Sequence, residues 1–395
     1  MIRLELDELG SWTEWRLSAE QGRRLAGSGI VEATIAPHDV GVWQVRAAGK
    51  IGVARVGDVE VWVRPKVPIQ RLLFMLGYAI NPRDWQDDDV AVATVDDLVP
   101  ALAQAFWRQA ERAVLTGLLQ GYRVHEEAAP VLRGRLREAD QMRRRHGLAV
   151  PLEVRYDEFT VDIAENRIVR AAAERLLRLP SVDALSRRRL RHLQSRFADV
   201  SPLAAGEPAP VWAPSPLNAR YHSALRLAEL VLRGCSIEHA SGRVAVNGFL
   251  LDMPQVFEDF VTVALGEELS RRHDGRAHRQ DWHYLDVGRH VRIRPDLVWY
   301  VTGAPAAVID AKYKAAKPSG FPDADLYQML AYCTALRLNH GHLVYAKGNA
   351  DPACHLIRHT GIEIVCHALD LDTPPHDLLR QVSALGRQIA DMAAG

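Results

Sequence analysis

The chain has 395 residues, 48% of them hydrophobic, with 49 basic and 49 acidic side chains that leave no formal net charge at neutral pH. The length fits two domains, each able to bury a sizeable core, and the charge balance excludes nucleic-acid binding driven by net charge, so any attraction to phosphate must come from local patches. No stretch of eighteen apolar residues suggests a membrane span, and the widely spaced Cys235, Cys333, Cys354 and Cys366 form no C-x-x-C pair, so a soluble, reduced, cytoplasmic protein is expected.

Residues 1–66 alternate in short β-rich runs such as Val42–Val45 and Val59–Val63, which predicts a small sheet or barrel. The sole Gly-Lys pair, Gly49-Lys50, lacks the earlier glycine that a phosphate-cradling loop needs, so no nucleotide motor is encoded. Long helices are predicted over Asp96–Leu119 and over Ala164–Leu179, the second closed by Pro180. Two arginine clusters stand out, Arg133, Arg135, Arg137, Arg143, Arg144 and Arg145, then Arg187, Arg188, Arg189 and Arg191. Solvated helix faces are the usual explanation of such runs, and phosphate or partner binding is the alternative. The Pro-rich stretch Ser201–Pro216 reads as a connector, followed by a helix over 217–234.

The C-terminal half carries the chemistry. Met253–Leu269 has helical apolar spacing that turns Val256, Phe257, Phe260, Val261 and Leu265 inward and leaves Glu258 in the first turns, where the helix dipole by itself would favour a carboxylate. His290–Val301 is rich in β-formers, Thr302–Pro305 turns the chain, and Ala306–Lys312 is the return strand. Alternation along that strand puts Asp310 and Lys312 on one face, with Ala311 pointing away, and a cross-strand neighbour can bring Asp296 close to Asp310. Two facing carboxylates repel unless a cation neutralises them. Oxygen-only ligation favours magnesium or manganese over zinc, and Lys312 would stabilise charge on a phosphate or orient a water. A simple Asp–Lys ion pair is the alternative.

Asp325–Leu336 reads as a helix with Gln328 and Tyr332 one turn apart, suited to a phosphate or base contact, or else to a Tyr packed at the core rim. His342–Lys347 and Ile362–Leu369 would extend the sheet, and 374–393 would close the domain as an amphipathic helix. The pairs Cys354-His355 and Cys366-His367 are read as structural, because neighbours on a strand face opposite ways. Arg292 and Arg294, beside the acidic hairpin, are the better candidates for contact with DNA.

In this order the elements resemble the PD-(D/E)xK nuclease fold in its variant with a Q-x-x-x-Y helix, an α/β domain with a mixed sheet flanked by helices. Val63–Ile69, Leu72–Tyr78, Gly117–Tyr122, Arg133–Leu136, Asp157–Arg167 and Met253–Phe260 extend the resemblance, from about residue 50, to McrC, the nuclease subunit of McrBC-type modification-dependent restriction systems. The resemblance implies an α+β partner-binding domain over 1–200, the connector 201–216, and a PD-(D/E)xK endonuclease domain over 217–395. It implies a catalytic set of Asp296, Asp310, Lys312, Glu258, Gln328 and Tyr332, with Asp296, Asp310, Ala311 and Glu258 as metal-binding positions for magnesium or manganese. The implied partners are an AAA+ GTPase of the McrB type, bound through the N-terminal domain and stimulated by it, double-stranded modified DNA, and a second nuclease domain; no membrane is implied. A non-catalytic activator of the GTPase ring and a partner-independent nuclease are the alternative readings.

Overall fold

The computed structural model describes residues 2–80, 82, 97–146, 148–179, 181–204, 207–235, 246–271, 275–313, 323–346 and 353–394. Asp96, Pro180 and Lys347, and Ala205-Gly206 of the connector, lie outside the described residues. By compactness the chain forms one unit from Met1–Leu98 with Ile237–Gly395 and a second from Val99–Ser236. These units do not follow the boundaries 1–200 and 217–395, because the first returns to the N-terminal strands after the second has been completed.

The first unit begins with β1 (Ile2–Asp7), β2 (Thr13–Arg16), α1 (Ala19–Ala26), β3 (Val31–Ala36), β4 (Asp39–Ala47), β5 (Lys50–Val56), β6 (Val59–Arg64) and α2 (Ile69–Ile80). Instead of one small sheet or barrel, these strands enter two sheets, β2-β4-β3 and β1-β6-β5 with a fourth strand supplied later. β5 and β6 form an antiparallel hairpin, and Gly57 in its turn takes φ 63°, the left-handed region that glycine enters without a Cβ clash. Val59–Val63 are buried without interruption, the pattern of a strand covered on both faces.

The second unit contains α3 (Leu98–Val114, with Leu98 itself in the first unit), β7 (Gly121–Ala129), β8 (Arg135–Leu136), α4 (Glu138–Arg145), β9 (Leu152–Thr160), α5 (Ala164–Arg178), α6 (Ala184–Arg196) and α7 (His222–Cys235). Its sheet has the order β7-β9-β8. The buried Asn166 donates to the carbonyls of Leu119 (2.8 Å) and Val161 (2.7 Å), tying the start of α5 to two loops. The helix expected over 217–234 is divided, since Ser215 and Asn218 form a capping box around a 3-10 turn at Pro216–Tyr221 before α7 begins.

The first unit then resumes with β10 (Val246–Asp252), α8 (Met253–Ser270), β11 (Arg276–Arg279), β12 (His283–Tyr284), β13 (Arg292–Ile293), β14 (Leu297–Val301), β15 (Ala304–Lys312), α9 (Asp323–Leu336), β16 (His340–Ala346), β17 (Ala353–Leu356), β18 (Glu363–Leu369) and α10 (Pro375–Ala394). β10 completes the first sheet by pairing antiparallel with β5, from Val246↔Val56 to Asp252↔Lys50. Asp252 caps α8 by accepting from the Gln255 N–H at 3.3 Å, and the inward residues Val256, Phe257, Phe260, Val261 and Leu265 are all buried. α8 also packs on α2, with the Phe260 ring 5.7 Å from those of Phe74 and Tyr78.

The larger sheet has the order β11-β14-β15-β16-β18-β17, with β14/β15 antiparallel and β15, β16 and β18 mutually parallel. α9 covers one face through Met329, Tyr332, Cys333 and Leu336 against Val298, Val308, Leu343, Ile364 and Cys366. A Cβ on Gly341 would meet Cys333 Sγ and Met329 Cγ at 2.6 Å, so glycine there lets α9 settle onto β16. The expected strand His290–Val301 is interrupted: Arg292–Ile293 pairs with β12, and β14 starts at Leu297, after Pro295 and Asp296.

Candidate active site on the mixed sheet

Asp310 and Lys312 project from β15 toward α9, as the two-residue period requires. Asp310 is 2% exposed, and its Oδ2 is in ion-pair contact with the Lys312 ammonium. That oxygen accepts no well-directed hydrogen bond, so the pairing is one of charge more than of geometry. Asp296 lies one residue before β14, and the register Leu297↔Ile309 carries it to the level of Asp310. Its Oδ2 accepts the Ala311 N–H at 2.8 Å. Burial, then the Asp310 charge opposite, pushes the Asp296 carboxyl up to about 8, with the Glu258 charge adding and the Ala311 bond opposing.

Lys312 also donates to Gln328 Oε1 at 2.8 Å. The Gln328 Nε2 donates in turn to the Tyr332 hydroxyl at 2.7 Å, which donates to the Arg294 carbonyl at 3.3 Å. The chain of bonds fixes the Gln328 amide, oxygen toward the ammonium and nitrogen toward the phenol, and ties α9 to the backbone just before Asp296. Burial tends to lower the Lys312 pKa, but the charge of Asp310, with those of Asp296 and Asp325, outweighs it and holds the ammonium protonated. Burial and the Asp310 charge push the Tyr332 phenol up to about 12, so it stays a neutral donor.

Glu258, in the first turns of α8, is close enough for its charge to act on Asp296, and it accepts from Gln280 Nε2 at 2.7 Å. Among the described residues no three His, Cys, Asp or Glu side chains converge closely enough to hold a metal by themselves. No periodic signal marks Gln280, which lies between β11 and β12. It takes φ 50°, uncommon for a non-glycine residue, and uses both arms there, its N–H donating to the Asp296 carbonyl at 2.9 Å. Asp325 was missed too; it is buried and accepts from the Tyr345 hydroxyl at 3.0 Å.

Other sequence candidates have structural employment. Arg137 pairs with Glu126 (3.1 Å), Arg143 with Asp140 (2.8 Å) and Arg145 with Glu153 (2.8 Å), while Arg187 donates to the carbonyls of Leu177 and Val182, each at 2.9 Å. Cys333 of α9 and Cys366 of β18 are buried in the core between that helix and the sheet. Among the described residues no helix is long and apolar enough to cross a membrane.

Fold and site together define an α/β protein whose mixed sheet presents a buried carboxylate pair beside a lysine. The family model for the McrBC 5-methylcytosine restriction system component matches residues 45–346, and the chain belongs to that family, in agreement with the resemblance read from its sequence. In the refined half-complex from the tetradecameric assembly of Thermococcus gammatolerans McrB AAA+ hexamers with bound McrC, one chain is 19% identical with a TM-score of 0.61, and the alignment covers 98% of this chain and 100% of that one. At that identity the likeness speaks for the fold. A chain of the Thermococcus gammatolerans McrBC complex, solved by cryo-EM, is 21% identical over 68% of this chain and 88% of its own, with a TM-score of 0.43. No curated protein matches.

Proposed function

We propose that the chain is the McrC-type nuclease subunit of a McrBC-type restriction system, hydrolysing DNA phosphodiester bonds with water at a PD-(D/E)xK site while assembled with an AAA+ GTPase of the McrB type. The observation that carries this reading is the pair Asp296 and Asp310, facing each other half-buried or buried, with Lys312 held beside them by Gln328. An ion pair needs one carboxylate. A second one close by, raised by the first, is a cost that a structural role does not explain. The succession of α8, the β14/β15 hairpin, α9 and the parallel β16 supports the same fold reading.

The donor set suits a hard divalent cation, magnesium or manganese, which the carboxylates of Asp296 and Asp310 and the main chain of Ala311 would hold, with the Glu258 carboxylate near enough to contribute. When bound, such an ion supplies charge neutralisation for the acidic pair and Lewis acidity toward phosphate. The chain's own contribution is positional. The Lys312 ammonium, kept charged and oriented by Asp310 and Gln328, donates to a phosphate oxygen as negative charge grows there. Tyr332 holds Gln328 from behind and braces the backbone that carries Asp296.

Asp310→Ala and Lys312→Ala should each lower cleavage of methylated plasmid by at least about 100-fold in magnesium with the GTPase partner and GTP present. GTP hydrolysis by the partner should remain stimulated, as expected if a separate region binds the motor. Cleavage that survives in both variants would overturn the site, and loss of stimulation together with cleavage would point to misfolding of the chain.

A further inference from the structure

The segment between β11 and β14 contains a two-rung hairpin, and its Asp281 and Asp286 are engaged by neighbouring groups. Asp286 accepts the N–H groups of His290 (2.9 Å) and Val291 (2.7 Å), and Asp281 accepts from the Tyr300 hydroxyl at 2.7 Å. Its arginines are placed differently. Arg292 and Arg294 are exposed and, among the described residues, form no ion pair. Both guanidinium groups lie over the ring of Trp282, with Cζ 6.0 and 5.0 Å from the centroid, and Trp282 is itself 57% exposed. An exposed indole carrying two cations that have no ion-pair partner among the described residues holds positive charge in a fixed place in solvent. That place is tied to the site, because the Arg294 carbonyl accepts from Tyr332, and Gln280, just before Trp282, bonds both the Asp296 carbonyl and Glu258.

We propose that Trp282, Arg292 and Arg294 form a phosphate grip that holds the DNA strand next to the scissile bond. The two guanidinium groups take backbone phosphate oxygens, and Trp282 is a positioning residue that keeps them aimed. This rests on the nuclease reading above and adds to it the residues that seat the substrate. Because phosphate contacts release counterions and base contacts do not, the grip contributes affinity without sequence preference.

The test uses the full chain carrying Asp310→Ala and a fluorescein-labelled duplex, with Kd read by anisotropy across a salt series. Adding Arg294→Gln should weaken binding about five-fold at ~0.15 M salt and reduce the slope of log K against log salt by about 0.9, one phosphate's share. Trp282→Ala should weaken binding about three-fold and leave that slope unchanged, since no charge is lost, and Trp282→Phe should restore most of it. Parental Kd and slope in both Arg294→Gln and Trp282→Ala would overturn the grip, as would a Trp282→Phe variant no better than Trp282→Ala. With Asp310 intact, the same substitutions should raise KM for cleavage more than they lower kcat. Cleavage persisting in the Asp310→Ala chain would instead count against the nuclease reading, whatever the binding data show.

Discussion

Asp296 is the residue with the most at stake. In the unfolded chain its carboxyl loses its proton near the ordinary value of 3.8, whereas burial and the Asp310 charge hold the proton on in the fold to about 8. Across that window the folded state binds more protons, so metal-free stability should fall as pH rises from about 4 to about 8. Asp296→Asn removes the ionisation. In chelator its melting temperature should exceed the parent's at pH 9 and vary less between pH 5 and 8, while added magnesium should raise the parent's melting temperature and not the variant's. Equal pH profiles for the two proteins would exclude the raised carboxyl. The partners of this residue were legible to different degrees. Asp310, Lys312, Gln328 and Tyr332 follow from the periods of one strand and one helix. Gln280 does not, because its role depends on a left-handed backbone and on two contacts distant in sequence, neither of which leaves a periodic trace.

At the scale of elements, long periodic segments were readable and short interruptions were not. The helix expected over Met253–Leu269 forms as Met253–Ser270, and that expected over 374–393 forms as Pro375–Ala394. The strand expected over His290–Val301 instead breaks before Leu297, since Pro295 offers no N–H to a ladder and restricts Arg294 before it. The two strands β16 and β18 also carry a feature that neither reveals alone. His342 Nδ1 and His367 Nε2 lie 3.1 Å apart, both buried, on the face turned away from α9. Burial, and the neighbouring His367, lowers His342 to about 3, and burial lowers His367 to about 4. Each therefore folds neutral and would be charged in the unfolded chain below its ordinary 6.5, so their contribution is complete above about pH 6.5 and is lost as pH falls toward 4. We expect acid to destabilise the sheet by roughly 3 kcal/mol for each histidine over that range. A His342→Leu/His367→Leu chain should show a shallower decline in urea midpoint between pH 6.5 and 4.5, and an unchanged decline would refute the assignment.

For the whole molecule, the sequence suggested a simple N-terminal and C-terminal division at the Pro-rich stretch. The pairing of Asp252 with Lys50 was not visible, because strand partners distant in the chain leave no local mark. A fragment beginning at residue 217 would keep every candidate catalytic residue and lose β5, the strand that β10 needs, along with α2 against α8. We expect such a fragment to lack a cooperative thermal transition by circular dichroism, whereas one that melts like the intact chain would show that the C-terminal half stands alone. The same pairing bears on how the protein is made. During synthesis β5 leaves the ribosome with one edge open and waits, through the whole of the second unit, for residues 246–252 to appear. An open, largely apolar strand edge is prone to pair with other chains. Pausing or truncated translation between residues 99 and 245 should therefore yield aggregates rather than a shortened active protein, and the second unit, which contains no strand of that sheet, has every chance to fold first.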